Sequence, residues 1–194
     1  MKTKASRELF DYWNRQRGLR LAPSRTDIDP AAISGVLGDT LMITREAGVE
    51  PVFRLAGTRV CSLFGRELKS ENFVSLWDAR SHAELRSLLD QLLEDATGFV
   101  AGVTSQTDEG APVALELLLL PLYRAGTTEA RSIGVLSSHA QNGPVELQSV
   151  SGLTLTNWRV VGPRLEELML PRHVDVPTSV TQRFGIVVHQ GGRS

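Results

Sequence analysis

The sequence of 194 residues has little of several features that would identify a protein class at once. Its single cysteine, Cys61, excludes an intramolecular disulfide. No apolar run approaches the ~20 residues of a membrane-spanning helix, since Glu116 and Pro121 interrupt the longest run, over 113–122. The amino terminus has no apolar segment of the kind found in secretory signals, so we expect a cytoplasmic protein.

The charges are almost balanced. Lys and Arg number 21 and Asp and Glu number 22, so the net charge is −1. A protein that mainly neutralises nucleic-acid phosphates usually carries a clear basic excess, so nucleic acid is not an expected partner. Hydrophobic residues at 41% and charged residues at 22% are ordinary globular values, which exclude wholesale disorder.

Sequence motifs for catalysis and metal binding are also missing. The four histidines do not pair with one another, with Cys61 or with carboxylates at ligand spacing, so no metal site is predicted. No G-x-S-x-G, G-x-x-x-x-G-K-[ST] or G-x-G-x-x-G pattern occurs. We therefore predict no catalytic residue, and the sequence specifies no cofactor.

Apolar periodicity predicts an α+β protein. Ser6 is the expected N-cap of a first helix, and Asp29 with Pro30 is typical of the start of a second. Three strands with turn-rich connections are expected to close an antiparallel sheet. The predicted helical segments cover 6–18, 30–37, 60–64, 72–77 and 81–96, and the predicted strands cover 39–45, 51–57, 99–106, 113–123 and 131–138, with 153–161 as an alternative sixth strand.

Several segments together resemble a family of stand-alone proteobacterial PAS proteins. The motif AGTR lies at 56–59 and LFGREL at 63–68, and the upstream segments at 9–18 and 22–30 resemble that family's N-terminal extension. The resemblance covers roughly 6–139. It implies a PAS-like five-stranded antiparallel sheet with helices on one face and an N-terminal helical extension.

The expected layout is an N-terminal helical extension over 1–38, a PAS-like domain over 39–140 and a partly disordered C-terminal extension over 141–194. The resemblance implies a non-enzymatic sensory or interaction protein in bacterial signalling. It would act by binding a small apolar ligand or by docking to regulatory proteins. One position departs from many ligand-binding PAS domains, because Thr58 and Arg59 stand where those domains place an asparagine.

Apolar alternation and the resemblance together predict a ligand pocket, although the same side chains would equally form a packed core. Arg59 and Arg66 would flank its mouth, unless they form surface ion pairs with Glu67 or Asp78. Cys61 is expected to be a small core residue. The predicted pocket residues are Leu55, Val60, Phe64, Phe73, Trp77, Leu89, Val103, Leu117 and Val135.

The first helix carries the aromatic residues Phe10, Tyr12 and Trp13. One interpretation is that they form the surface of a homodimer. The other is that this helix covers the open face of its own sheet.

A second hypothesis for function is an enzyme of the isomerase or dehydratase type on a similar cone-shaped α+β fold. It needs a titratable side chain that projects into the cavity. Glu116, within an apolar strand, is the best candidate for this role. The strand pattern, however, predicts that Glu116 points to solvent or to a partner.

Overall fold

The structure is a computed structural model, and it describes residues 1–46, 48–123, 130–138 and 149–162. Its α-helices are α1 (Lys4–Arg17), α2 (Thr58–Leu63) and α3 (Ala79–Glu94), and 3-10 segments cover Arg25–Asp27, Pro30–Asp39 and Val74–Leu76. The strands are β1 (Thr40–Arg45), β2 (Val52–Ala56), β3 (Gly98–Thr107), β4 (Pro112–Leu122), β5 (Ala130–Ser138) and β6 (Val150–Val161). Within these ranges, no helix is both long and apolar enough to span a membrane.

The six strands form one antiparallel sheet in the order β2-β1-β5-β4-β3-β6. Strand β4 lies at the centre and is buried along most of its length. Successive side chains of a strand point to opposite faces, so Leu117 and Leu119 lie on one face while Leu118 and Leu120 lie on the other. A central strand that is apolar on both faces requires a cover on each side of the sheet.

The cover on one face consists of α2, α3 and the 3-10 turn between them. Leu85, Leu88, Leu89 and Leu92 of α3 recur at three- and four-residue spacing and are fully or almost fully buried. We call the apolar core on this face the inner cluster. Besides these leucines it contains Leu41, Ile43, Phe53, Val60, Cys61, Phe64, Leu68, Phe73, Val74, Leu76, Trp77, Phe99, Ala101, Val103, Leu115, Leu117, Leu119, Leu136, Val150 and Leu153.

Helix α1 and the segment Pro30–Asp39 cover the opposite face. The side chain of Thr3 caps α1 by accepting a hydrogen bond from the backbone N–H of Ser6. The indole Nε1–H of Trp13 donates to the carbonyl oxygen of Pro121 in β4 at 2.8 Å. The apolar core here, the outer cluster, contains Ala5, Leu9, Tyr12, Trp13, Ala22, Ile28, Ile33, Val36, Met42, Val100, Leu118, Leu120, Leu122, Ile133, Val135 and Val161.

The predicted α+β class with an antiparallel sheet is confirmed, with three differences in detail. The alternative sixth strand is present, so the sheet has six strands and not five. The N-cap of the first helix is Thr3 and not Ser6. The predicted second helix is a 3-10 segment with a kink at Ile33. Of the predicted C-terminal extension, 149–162 are described and contain β6, whereas 141–148 and 163–194 lie outside the described residues.

Strand β6 also contacts the start of α3. The backbone N–H of Asp78 donates to the carbonyl oxygen of Leu153 at 2.8 Å, and that of Leu155 donates to Ser81 Oγ at 3.0 Å. A parallel bridge joins Leu153 to Trp77. These contacts place β6 beside the end of the inner cluster that contains Trp77.

Candidate functional site

The inner cluster is the candidate site because it lies between the central strands and the helices α2 and α3. It brings together seven of the nine predicted pocket residues. That these side chains line a ligand pocket stays a prediction. The seven are Val60, Phe64, Phe73, Trp77, Leu89, Val103 and Leu117.

Two predicted pocket residues lie elsewhere. Val135 belongs to the outer cluster, because its neighbours Gly134 and Leu136 take the inner positions of β5. Leu55 is 41% exposed on β2, at the edge of the sheet. It pairs with Met42 of the outer cluster, and an irregularity in the β1–β2 register separates it from the inward-facing Phe53. Both assignments to the pocket were therefore wrong.

Three aromatic rings form a row at one side of the inner cluster. Phe53 and Phe73 meet edge to face with centroids 5.3 Å apart, and Phe73 and Trp77 are tilted with centroids 5.9 Å apart. Aromatic pairs favour such geometry because the positive edge of one ring meets the negative face of the next. The row leads from β2 to the start of α3 and ends at the indole ring of Trp77.

Two polar side-chain atoms in this part of the molecule are buried without a hydrogen-bond partner among the described residues: Trp77 Nε1 and Ser132 Oγ. Trp77 is 4% exposed and Ser132 is fully buried. Ser132 lies on β5 opposite Ile43 and Pro121, so its side chain shares the face of the inner cluster. Buried donors almost always have a partner, and one without a partner costs stability. The sequence contains no local signal for either atom, because neither residue type is unusual in its strand or turn.

Replacing Ser132 with alanine is expected to raise the free energy of unfolding by about 1 kcal/mol, since the change removes an unpaired buried hydroxyl and keeps Cβ. Urea unfolding of the purified chain measures the effect. The matched control is Ser105→Ala, because Ser105 Oγ donates to the carbonyl oxygens of Ser151 at 3.0 Å or Gly152 at 2.8 Å. The control is expected to lose about 1 kcal/mol. An equal loss in both variants would contradict the prediction for Ser132.

The two arginines predicted at the pocket mouth both form ion pairs. Arg59 Nε and Nη2 lie 2.8 and 2.6 Å from the two carboxylate oxygens of Asp39. Arg66 binds Glu71 in the same two-point manner, at 3.1 and 2.7 Å. The hydrogen bonds to Asp39 raise the pKa of Arg59. The predicted alternative of surface ion pairs is therefore right in kind, but the partners are Asp39 and Glu71 and not Glu67 or Asp78.

Cys61 is 8% exposed and belongs to the inner cluster. Burial raises the pKa of its thiol above the ordinary value of 9.0, and the nearby Glu67 carboxylate acts in the same direction. The thiol is therefore protonated at neutral pH and is a poor nucleophile. Among the described residues, no group of three His, Cys, Asp or Glu side chains is arranged to hold a metal ion.

Glu116 is buried at 4% exposure against the chain's own N-terminal residues, whereas the strand pattern predicted that it points to solvent or to a partner. It does not face the inner cluster. One carboxylate oxygen accepts from the backbone N–H of Lys2 at 2.7 Å, and the other accepts from the backbone N–H and the hydroxyl of Thr3 at 3.1 and 3.0 Å. The carboxylate thus binds the start of α1 to β4. Its negative charge also interacts favourably with the positive end of the α1 helix dipole.

The ionisation of Glu116 follows from these contacts. Burial by itself raises the pKa of a carboxyl group, but the hydrogen bonds from Lys2, Ser6 and Thr3 lower it by more. The pKa of Glu116 therefore lies below its ordinary value of 4.5. The residue is a carboxylate at neutral pH, and its oxygen atoms are occupied by α1.

The aromatic residues of α1 mainly serve the chain's own fold. Trp13 is fully buried, and Tyr12 is 4% exposed. The Tyr12 hydroxyl accepts from the backbone N–H of Asp29 at 2.7 Å and donates to the carbonyl oxygen of Asp27 at 3.2 Å. The interpretation of Tyr12 and Trp13 as a dimer surface was wrong for this reason. Phe10 is half-buried and stacks on Trp13 with centroids 6.2 Å apart.

The architecture agrees with a match to a known protein family. A family model described as "PAS domain" matches residues 1–137, which is well over half of the chain. No curated protein is similar to the sequence at a significant level. Among solved structures, 15 chains match significantly. One, described as "Structure of an RNA-binding Light-Oxygen-Voltage Receptor", is 13% identical with a TM-score of 0.38, and the match covers 55% of this chain and 32% of that chain.

Proposed function

Because the chain belongs to the PAS domain family, we propose that it is a non-enzymatic sensory and interaction protein of bacterial signalling. A small apolar ligand occupies the inner cluster, and the bound state changes the affinity of the chain for regulatory proteins or for a second copy of itself. PAS domains in general are sensory and interaction modules. The observation that carries the ligand part of the proposal is the unpaired indole N–H of Trp77, which is buried among the apolar side chains of the inner cluster.

Strand β4 supports a route from the ligand to a partner surface. Leu117 contributes to the inner cluster, while Glu116 and Pro121 of the same strand bind α1. A ligand that shifts β4 therefore acts directly on the contacts that hold α1. Such a shift alters partner affinity only as far as the ligand binds the two arrangements with different affinities.

The first test is native mass spectrometry of the protein as purified. We expect a non-covalent adduct of stoichiometric occupancy that is lost on denaturation, with either a monomer or a dimer mass. A dimer without adduct would contradict ligand binding and leave docking as the function. A monomer that carries no adduct and captures no partner would contradict the proposal as a whole.

The enzyme alternative depended on a titratable side chain that projects into the cavity. Glu116, its candidate, lies on the opposite face of the sheet and binds the start of α1. No observation on the described residues favours an isomerase or dehydratase over the sensory protein.

A further inference from the structure

We propose that the ligand of the inner cluster is a neutral, largely apolar molecule with one oxygen acceptor that receives the indole N–H of Trp77. This inference rests on the function proposed above and specifies the chemistry of its ligand. It makes Trp77 the residue that distinguishes a ketone, ester or ether from a hydrocarbon of the same shape.

Of the polar groups of Trp77, the indole N–H alone has no partner among the described residues. Its backbone N–H donates to the carbonyl oxygen of Val74 at 3.0 Å, and its own carbonyl oxygen accepts from His82 Nε2 at 2.7 Å. The side chain is 4% exposed, so water from outside does not serve as the acceptor. An indole N–H is a donor only, and the missing partner is therefore an acceptor atom.

The other two tryptophans show what the fold ordinarily does with this group. Trp13 Nε1 donates to the carbonyl oxygen of Pro121 at 2.8 Å, and Trp158 Nε1 donates to the carboxylate of Glu84 at 2.5 Å. Both donors are paired, even though Trp158 is 39% exposed. Trp77, which has the greater need for a partner because it is buried, is the exception.

The surroundings of Trp77 restrict the charge of the ligand. Among the described residues, the only buried side chain that carries a full charge is Glu116, and it lies on the other face of the sheet. No buried cation is therefore available in the described part of the inner cluster to balance a carboxylate or phosphate, and burying an unbalanced charge is costly. The row of Phe53, Phe73 and Trp77 instead offers an apolar, aromatic wall.

The test compares two probes with the same carbon skeleton: acetophenone, and ethylbenzene, which has a CH₂ group in place of the ketone carbonyl. The full chain is labelled with nitrogen-15 so that its three indole N–H resonances are observed directly. We expect acetophenone to move the Trp77 resonance downfield and leave those of Trp13 and Trp158 in place. Acetophenone should bind about five-fold more tightly than ethylbenzene, which is the effect of one ordinary hydrogen bond. In Trp77→Phe the two probes should bind equally.

Several results would overturn the inference. Equal binding of the two probes to the wild-type chain with a stationary Trp77 resonance would overturn it and leave a ligand-binding function standing. Another case is that neither probe binds but the purified protein carries an adduct. Full occupancy of that adduct in Trp77→Phe then overturns the inference, whereas loss of the adduct in this variant supports it. Absence of both probe binding and adduct overturns the inference together with the proposed function. The wild-type indole resonance gives an answer even if Trp77→Phe does not fold.

Discussion

Replacing Glu116 with glutamine is expected to lower the free energy of unfolding by about 3 kcal/mol at neutral pH, although the two side chains have the same shape. The carboxylate accepts hydrogen bonds at both oxygens, from Lys2 N–H on one and from Thr3 on the other. A glutamine side chain has one oxygen, so its amide N–H₂ group faces one of these donors. A buried donor is then left unpaired, and the negative charge at the start of α1 is lost. Urea unfolding at pH 7 measures the change.

The same variant makes a prediction about acid. The pKa of Glu116 is lower in the folded chain than its ordinary value of 4.5. Its contribution is therefore fully present above the unfolded pKa and is lost as the pH falls through the lower, folded pKa. The stability difference between wild type and Glu116→Gln should be largest at pH 7 and should shrink below about pH 4.

Glu8→Gln is the matched control, since it makes the same chemical change on the exposed side of the same helix. Glu8 forms an i,i+4 pair with Lys4 at 3.4 Å, and the side chains of Lys4 and Glu8 are 84% and 45% exposed. Such a pair contributes little, so we expect a loss below about 0.5 kcal/mol. A loss at Glu116 no larger than that at Glu8, or one independent of pH, would contradict the carboxylate's proposed role as the anchor of α1.

Strand β4 shows why the sequence predicts the fold better than the site. The alternation through Leu115, Glu116 and Leu117 correctly places the glutamate on the face opposite its neighbours. It does not reveal that α1 returns to cover that face, because the contact joins residues more than 100 positions apart in the chain. For this reason a carboxylate that was expected to face solvent or a partner is instead buried against the start of α1.

The two wrong pocket residues fail for similar physical reasons. In β5, Ile133, Val135 and Leu136 are all apolar, so hydrophobicity alone does not distinguish the two faces of a strand that is covered on both sides. The pairing of β2 with β1 is irregular between Met42 and Ile43 of β1. Because of this irregularity, Leu55 of β2 does not point to the same face as Phe53. The helical leucines, such as Leu89, are predicted correctly because one helix has one apolar stripe.

Gly57, in the AGTR motif at the end of β2, has a φ of −70° that is accessible to any residue. What the position requires is space. A Cβ at Gly57 would lie 2.2 Å from the carbonyl oxygen of Leu37 and 2.4 Å from that of Gly38. The backbone N–H of Gly57 also donates to the carbonyl oxygen of Thr40 at 2.7 Å.

Replacing Gly57 with alanine should therefore lower the free energy of unfolding by about 3 kcal/mol, since two backbone segments must separate to admit one methyl group. Gly110→Ala is the control: its φ of +82° strains an alanine, but a Cβ there meets nothing within 4 Å. Strain alone should cost about 1 kcal/mol. Urea unfolding of both variants separates the two causes. If Gly57→Ala loses no more unfolding free energy than Gly110→Ala, the N-terminus of α2 does not approach the end of the N-terminal extension closely. The AGTR motif then does not need its glycine for space.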